Sequence, residues 1–231
     1  MATSDYYADF MASYLDLDRD KVHTVPIGIN MEGHAPKPPR REGPFTIGYF
    51  ARVAPEKGLH LLAEAYRILR KDRGLEGARL EAAGYLLPEH RPYLEQIEGR
   101  LREWGLADEF RYHGSLDREN KISFLKSLDV MSAPSPYAEP KGLYMLEALA
   151  NGVPCVQPRH GAFPEVLGRT GGGVLFEPND PEDLADRLLE LSADREATHA
   201  LGARGAEGVR RHHSITQMAT RAMEVYEGVR S

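Results

Sequence analysis

Apolar positions along this chain recur with two different periods, and their alternation predicts the order of elements. Residues 5–16 place aromatic and apolar groups at helical spacing, and residues 21–27 predict a short strand. Residues 33–44 hold four prolines and the basic pair Arg40-Arg41, which makes them a loop. From residue 45 a regular alternation begins. Residues 45–51 predict a strand by their aromatic and β-branched content, and 58–71 a helix with Leu59, Leu62, Tyr66 and Leu69 on one stripe. Then follow a strand at 78–84, a helix at 88–104, a strand at 109–113 and a helix at 117–127. Residues 129–133 predict a buried strand ended by Pro134, 142–151 a helix stopped by Gly152, and 153–157 a further strand. Gly171-Gly172-Gly173 is a turn into the strand Val174-Leu175-Phe176; no helix follows directly, as a phosphate loop would require.

The tail is helical. Asn179-Asp180-Pro181 supplies a cap and a proline at the first helical position, with Glu182 and Asp183 in the first turn. Ser214-Ile215-Thr216-Gln217 is a capping-box pattern that opens a final helix through Tyr226. Strands alternating with helices at these lengths imply a parallel sheet with right-handed crossovers, hence an α/β, doubly wound, Rossmann-like fold with helices on both faces. Ligands of such sheets sit beyond the carboxyl ends of the strands. The loops that matter are therefore those after Ala51, Gly84, His113, Ala133 and Gln157.

Composition narrows the partners. A formal net charge of −6 gives no reason to expect nucleic acid or an anionic membrane, so an anionic ligand must rely on a few placed cations and helix N-termini. The single cysteine, Cys155, lies in the apolar run Gly152-Val153-Pro154-Cys155-Val156; it rules out a disulfide within the chain and predicts a buried thiol. No apolar stretch reaches the length of a membrane span, and the first residues lack the features of a signal peptide, so a cytoplasmic protein is expected.

Two loops carry candidate chemistry. The first reads Ala51-Arg52-Val53-Ala54-Pro55-Glu56-Lys57-Gly58, two cations at a strand-to-helix turn with a glycine at the helix entry. A pyrophosphate needs positive groups and free N–H donors together, and this loop offers both; a solvated, charged loop is the competing reading. The second runs from Pro134 to Gly142 and leads into a helix that is apolar around most of its circumference, with Tyr144, Glu147 and Asn151 its only polar strip. A carboxylate on a buried helix needs partners. Glu147 lies about 7 Å along the axis from Gly142, where it could take the vicinal hydroxyls of a ribose attached to an anion at the helix N-terminus. Glu139, before the helix, is expected at the rim, reaching a second polar ring beyond the phosphates. The competing reading makes Glu147 a salt-bridged core acid and Glu139 a surface residue.

Arg52-x4-Lys57-Gly58 and Glu139-x7-Glu147, with Gly142-Leu143 between the acids, resemble the donor-binding domain of family-4 retaining glycosyltransferases of the GT-B fold. The resemblance takes in Pro134-Ser135, the run from Glu147 to Pro154, His160-Gly161-Ala162-Phe163-Pro164-Glu165, Gly172-Gly173 and Glu177-Pro178-Asn179-Asp180, and it spans residues 20–228. It implies that Arg52 and Lys57 bind the pyrophosphate of a nucleotide diphosphate sugar. Gly142 and Leu143 would present backbone N–H groups to the distal phosphate and sugar, Glu139 would contact the transferred sugar, and Glu147 the ribose. His113-Gly114 is similar to the turn that passes near the base. Lys141 stands where many members carry an aromatic residue; a cation there adds a phosphate contact or points to solvent. Asn30, in Pro26-Ile27-Gly28-Ile29-Asn30, stands where an acid is more usual.

By the same resemblance, residues 1–32 correspond to the crossover at the end of an acceptor domain that is missing from the chain, followed by the loop 33–44, the nucleotide-sugar domain 45–213 and a C-terminal helix at 214–231. The implied reaction is glycosyl transfer with the anomeric configuration retained, without a metal ion or other cofactor, the isolated chain being inactive for want of its acceptor half. The donor base (UDP, GDP or ADP), the sugar and the acceptor are left open. Two other readings compete: a non-catalytic nucleotide-binding or interaction module, and a sugar-nucleotide epimerase or phosphorylase on the same fold. Adjacent His212-His213 lack a second ligand pair at metal-binding spacing and are expected to decorate a helix C-terminus as partly charged groups. Trp104 and Tyr85-Leu86-Leu87-Pro88 read as packing, with Tyr85 able to line a base pocket.

Overall fold

The sheet is built outward from Phe45–Phe50 (β1), whose first five residues are buried, so that the strand is covered on both faces. It pairs on one side with Ala78–Ala83 (β2), which pairs with Phe110–Tyr112 (β3). On its other side it pairs with Val130–Met131 (β4), followed by Cys155–Pro158 (β5) and Gly173–Phe176 (β6). Every pairing is parallel and the order is β3-β2-β1-β4-β5-β6. The chain winds away from β1 in one direction, then returns and winds in the other. That leaves a crevice at the carboxyl ends of β1 and β4, the switch point of a doubly wound sheet. The computed structural model describes residues 1–39 and 42–230, and the basic pair Arg40-Arg41 lies outside the described residues.

The connecting helices are Leu59–Arg67 (α2), Arg91–Glu103 (α3), Arg118–Ser127 (α4), Leu143–Ala150 (α5) and Phe163–Thr170 (α6), with Asp5–Tyr14 (α1) ahead of the sheet. Pro181–Ala193 (α7), Arg195–His212 (α8) and Ile215–Arg230 (α9) follow it. Helix α2 packs against α3 and α7, while α8 packs against α5 and α6. The predicted stripe on the second helix is real: Leu59, Leu62, Tyr66 and Leu69 are all fully buried. Its last turn, Ile68–Asp72, is wound as a π-helix rather than an α-helix. The Asp180 carboxylate accepts from the Glu182 and Asp183 N–H groups at 3.0 and 3.1 Å, the cap that the sequence signals. Cys155 is fully buried on β5.

Three expectations need correction. Residues 21–27 form no strand: the segment holds the end of a 3-10 turn, Arg19–Lys21, and a single bridge between Thr24 and Ala2. The Lys21 and Val22 N–H groups close the 3-10 turn on Asp18 and Arg19, the Val25 N–H donates to the Ala2 carbonyl at 2.8 Å, and outside the sheet that one bridge does not propagate. The strand expected at 129–133 is reduced to Val130–Met131, although the Asp129 and Ser132 N–H groups on either side still donate to the Thr46 and Gly48 carbonyls at 2.8 and 2.9 Å; the Thr46 N–H goes to the Asp129 carboxylate at 2.8 Å rather than to a backbone carbonyl. Lys37 seals that corner by donating to the Leu128 carbonyl, 4.0 Å from the Asp129 carboxylate. Lastly, His213 does not decorate the end of α8 as a charged group. It is buried, its Nδ1–H donates to the Ile27 carbonyl at 3.0 Å, and burial holds its pKa below the usual histidine value, leaving it neutral. His212 is held down as well, by burial and by Arg221 and Arg211 nearby.

Candidate functional site

The loops after β1 and β4 meet at the switch point because Gly58 lets them. Its φ of +76° caps the 3-10 turn Pro55–Lys57 and starts α2, and a Cβ there would fall 2.0 Å from the Pro134 carbonyl oxygen. Only glycine fits both demands. The second loop is then pinned along its length. The Ser135 hydroxyl lies 2.9 Å from the Glu56 carbonyl and 3.0 Å from that of Tyr137. The His160 ring N–H donates to the Ser135 carbonyl at 3.1 Å, and the Ala162 N–H to the Glu139 carbonyl at 2.8 Å. The Thr3 and Ser4 hydroxyls each donate to the Pro140 carbonyl at 3.2 Å.

This framework brings Lys57 and Glu139 into direct contact although they stand 82 residues apart. Their side chains keep 13% and 7% of their exposure, so the pair is largely desolvated. The Tyr137 hydroxyl completes it, accepting from the Lys57 ammonium at 2.8 Å and donating to Glu139 Oε2 at 2.9 Å. The ammonium also lies 5.1 Å from the Tyr137 ring centre and 5.7 Å from that of Tyr144. Burial alone pushes the Glu139 carboxyl up, but the Lys57 ammonium, the Tyr137 hydroxyl and the Lys141 N–H outweigh it and hold the group ionised, below the usual carboxylate range. Burial likewise disfavours the Lys57 charge, and Glu139 with Tyr137 outweighs that too. Glu139 is thus buried rather than at the rim, because the Ala162 and Gly161 backbone closes over its main chain.

Helix α5 starts at Gly142, in the left-handed region at φ +63°. The Leu143 and Tyr144 N–H groups lead the helix and have no intrahelical acceptor, so this end carries free donors and the positive end of the helix dipole. Leu143 is exposed. So is Lys141, whose N–H reaches Glu139 Oε1 at 3.3 Å. One turn along, Glu147 is about one-fifth exposed and paired with Lys121 of α4 at 2.6 Å. Behind it Asn151, fully buried, donates to the Glu147 carbonyl at 2.9 Å and to His34 Nδ1 at 2.8 Å. Each acid of the Glu139-x7-Glu147 motif therefore has its own lysine, and the two pairs flank the start of α5.

Arg52 lies on the same loop as Lys57, half-exposed and paired with Glu56. His113 turns inward, its ring bonded to Glu81 at 2.5 Å and packed 5.2 Å from the Phe124 ring. Gly114, at φ +72°, accepts from the Gly84 N–H at 2.9 Å and forms the turn after β3. Tyr85 is exposed beside the first loop, its carbonyl accepting from the Val53 N–H at 2.9 Å. Lys121, Tyr137 and His34 are additions from the structure. Tyr137 had a signal, since it stands two residues before Glu139; Lys121 and His34 reach Glu147 and Asn151 only through tertiary packing. Among the described residues, no group of three or more His, Cys, Asp or Glu side chains could hold a metal ion. No helix among them is long and apolar enough to cross a membrane.

The sequence matches the family model described as "Glycosyl transferases group 1" over residues 30–208. Among curated relatives, a lipopolysaccharide core biosynthesis mannosyltransferase, LpsB, of Rhizobium meliloti is 30% identical over 187 residues, covering 79% of this chain and 51% of the relative. A GDP-mannose-dependent α-(1-6)-phosphatidylinositol monomannoside mannosyltransferase of Mycobacterium tuberculosis is 28% identical over 201 residues, covering 80% of this chain and 50% of the relative. The chain spans about half the length of these relatives. Among solved structures, Anabaena HepE in complex with UDP superposes with a TM-score of 0.86 at 17% identity, covering 98% of this chain and 63% of that one. Sucrose-phosphate synthase from Thermosynechococcus elongatus superposes at 0.82 with 23% identity, covering 99% and 57%.

Proposed function

The chain belongs to the glycosyl transferases group 1 family, and on that premise we propose that it is the half that binds a nucleotide diphosphate sugar for transfer to an acceptor held by a second domain. One observation carries the reading: Lys57 and Glu139 meet at the switch point of the sheet, beside the free N–H groups of α5. In this proposal Arg52, Lys57 and the Gly142-Leu143 backbone take the diphosphate, and they stabilise the charge that grows on it as the glycosyl bond breaks. No divalent metal is assigned to that task, and no cofactor. Glu139 accepts hydrogen bonds from sugar hydroxyls, Glu147 accepts them from the ribose, and the His113-Gly114 turn lies by the base. Lys141, exposed at the mouth, adds positive charge for the distal phosphate. The sugar is transferred with its configuration retained.

The acceptor, and any activity of the isolated chain, rest with the domain that residues 1–32 would join. That division, with 45–213 as the nucleotide-sugar domain and 214–231 as a closing helix, is part of the proposal. Its support is that the matched relatives are about twice as long as the matched region. One relative is named as GDP-mannose-dependent and one neighbour holds UDP, which makes GDP and UDP the first donors to try, with ADP as the third. Residence in the cytoplasm belongs to the same proposal. Calorimetric titration of the chain with UDP, GDP and ADP in the presence of EDTA tests it. One nucleotide should bind, and Arg52→Ala and Glu147→Gln should each weaken it about tenfold or more, the worth of one charge-assisted hydrogen bond. Binding that survives both substitutions, or that EDTA abolishes, would remove the assignment.

A further inference from the structure

Lys57 and Glu139 have opposite tasks in the proposed site, one at the phosphate and one at the sugar, yet they share a third group. The Tyr137 hydroxyl accepts from the Lys57 ammonium at 2.8 Å and donates to Glu139 Oε2 at 2.9 Å. An ammonium has three N–H donors. Two of them are spoken for, by Glu139 and Tyr137, which leaves the third for a ligand. A carboxylate has about four lone-pair sites, and Lys57, Tyr137 and the Lys141 N–H leave Glu139 capacity for a further donor. The pair can therefore bind both ends of a donor without coming apart, provided its geometry is fixed.

Tyr137 is what fixes it. The loop that carries the residue is tied at the Tyr137 carbonyl by the Ser135 hydroxyl, 3.0 Å away, and two residues later by the Ala162 N–H on the Glu139 carbonyl. The side chain is 40% exposed, so it fills no core position, and its ring contact is the cation–π approach of Lys57 at 5.1 Å. The Tyr144 hydroxyl beneath has no hydrogen-bond partner and does not substitute for it.

We propose that Tyr137 is a positioning residue that couples the two ends of the donor site, so that the sugar and the diphosphate are recognised together. The inference rests on the donor-site reading above. With the hydroxyl in place, the free Lys57 donor points at the phosphate while Glu139 is held toward the sugar. Without it, Lys57 and Glu139 remain an ion pair whose orientation is no longer set, and the sugar adds little to binding.

The test compares nucleoside diphosphates with their sugar conjugates, using GDP with GDP-mannose and UDP with UDP-glucose, on the wild-type chain and on Tyr137→Phe. The phenylalanine keeps the ring and its cation–π contact and removes both hydrogen bonds. Wild type should bind the conjugate of its preferred nucleotide more tightly than the bare diphosphate. Tyr137→Phe should lose about tenfold of that advantage, the worth of one charge-assisted hydrogen bond, over and above whatever affinity it loses for the bare diphosphate, which the same titrations measure. The variant should remain folded at the temperature of the titrations, as circular dichroism and a thermal scan check, which separates positioning from folding. An advantage unchanged in Tyr137→Phe, or absent from the wild type, overturns the coupling and leaves the donor site standing. Failure of the wild type to bind any of these four ligands or ADP overturns both.

Discussion

Replacing Lys57 with methionine strands a carboxylate. Glu139 keeps 7% of its side-chain exposure, and after the substitution it retains only the Tyr137 hydroxyl at 2.9 Å and the Lys141 N–H at 3.3 Å. Removing one partner of a buried ion pair costs about 3–5 kcal/mol. The two remaining hydrogen bonds and the 13% exposure at Lys57, which lets some water in, place this case at the low end, about 3 kcal/mol. Such a loss lowers the melting temperature of a chain this size by about 6–12 °C. Glu139→Gln leaves an amide oxygen that still accepts from Lys57, and should cost about 1 kcal/mol. The double substitution should cost about as little as Glu139→Gln alone, for a coupling of about 3 kcal/mol.

The pH dependence gives the sign. The Glu139 carboxyl in the folded chain lies below its unfolded value of 4.5, so its contribution is complete above that value and is lost as pH falls through the folded one. In Lys57→Met burial raises the same carboxyl instead, and the cost of the substitution shrinks as acidification neutralises it. Urea unfolding of the four proteins, followed by circular dichroism at pH 7.5 and pH 5, reads both effects. A Lys57→Met chain within 1 kcal/mol of wild type, with additive effects in the double variant, would refute the claim that this pair is desolvated and mutually dependent.

Gly58→Ala should destabilise the chain by about 3 kcal/mol in the same unfolding assay, from a left-handed φ and a Cβ driven against the Pro134 carbonyl. Stability should fall between pH 7 and pH 5. His34, His60, His160, His212 and His213 all have folded pKa values below 6.5, led by burial in each case, so the unfolded chain takes up protons that the folded one refuses. Denaturation midpoints at the two pH values check this, and His213→Asn should flatten the slope. Cys155, fully buried with its thiol pushed up by desolvation, should react with a thiol reagent only at the rate of unfolding, which a time course with and without urea measures.

Much of this fold was legible because its elements carry strong periods. The buried stripe Leu59, Leu62, Tyr66 and Leu69, the Asp180 cap and the Ser214 cap, which accepts from the Gln217 N–H at 3.3 Å, sit where the sequence puts them. Residues 21–27 were misleading because strand-like residues make a strand only where a neighbouring ladder is free to pair. The site was half legible. Arg52, Lys57, Gly142, Leu143 and Glu147 lie on loops at the strand ends or on the helix that follows them, where topology directs attention. The burial of Glu139 was hidden, because a proline-rich loop before a helix reads as surface, and what covers it is the backbone of residues 161 and 162. Lys121 was hidden for the same reason: its contact with Glu147 depends on how α4 settles against α5, not on any spacing along the chain.

The most direct measurement is a crystal structure of the chain with its preferred nucleoside diphosphate bound. The account predicts the diphosphate between Lys57, Arg52 and the first N–H groups of α5, with the ribose hydroxyls on Glu147. A nucleotide seated elsewhere, such as the hollow lined by Pro55, His60, Tyr93 and Arg100, with Lys57 and Glu139 untouched, would contradict it.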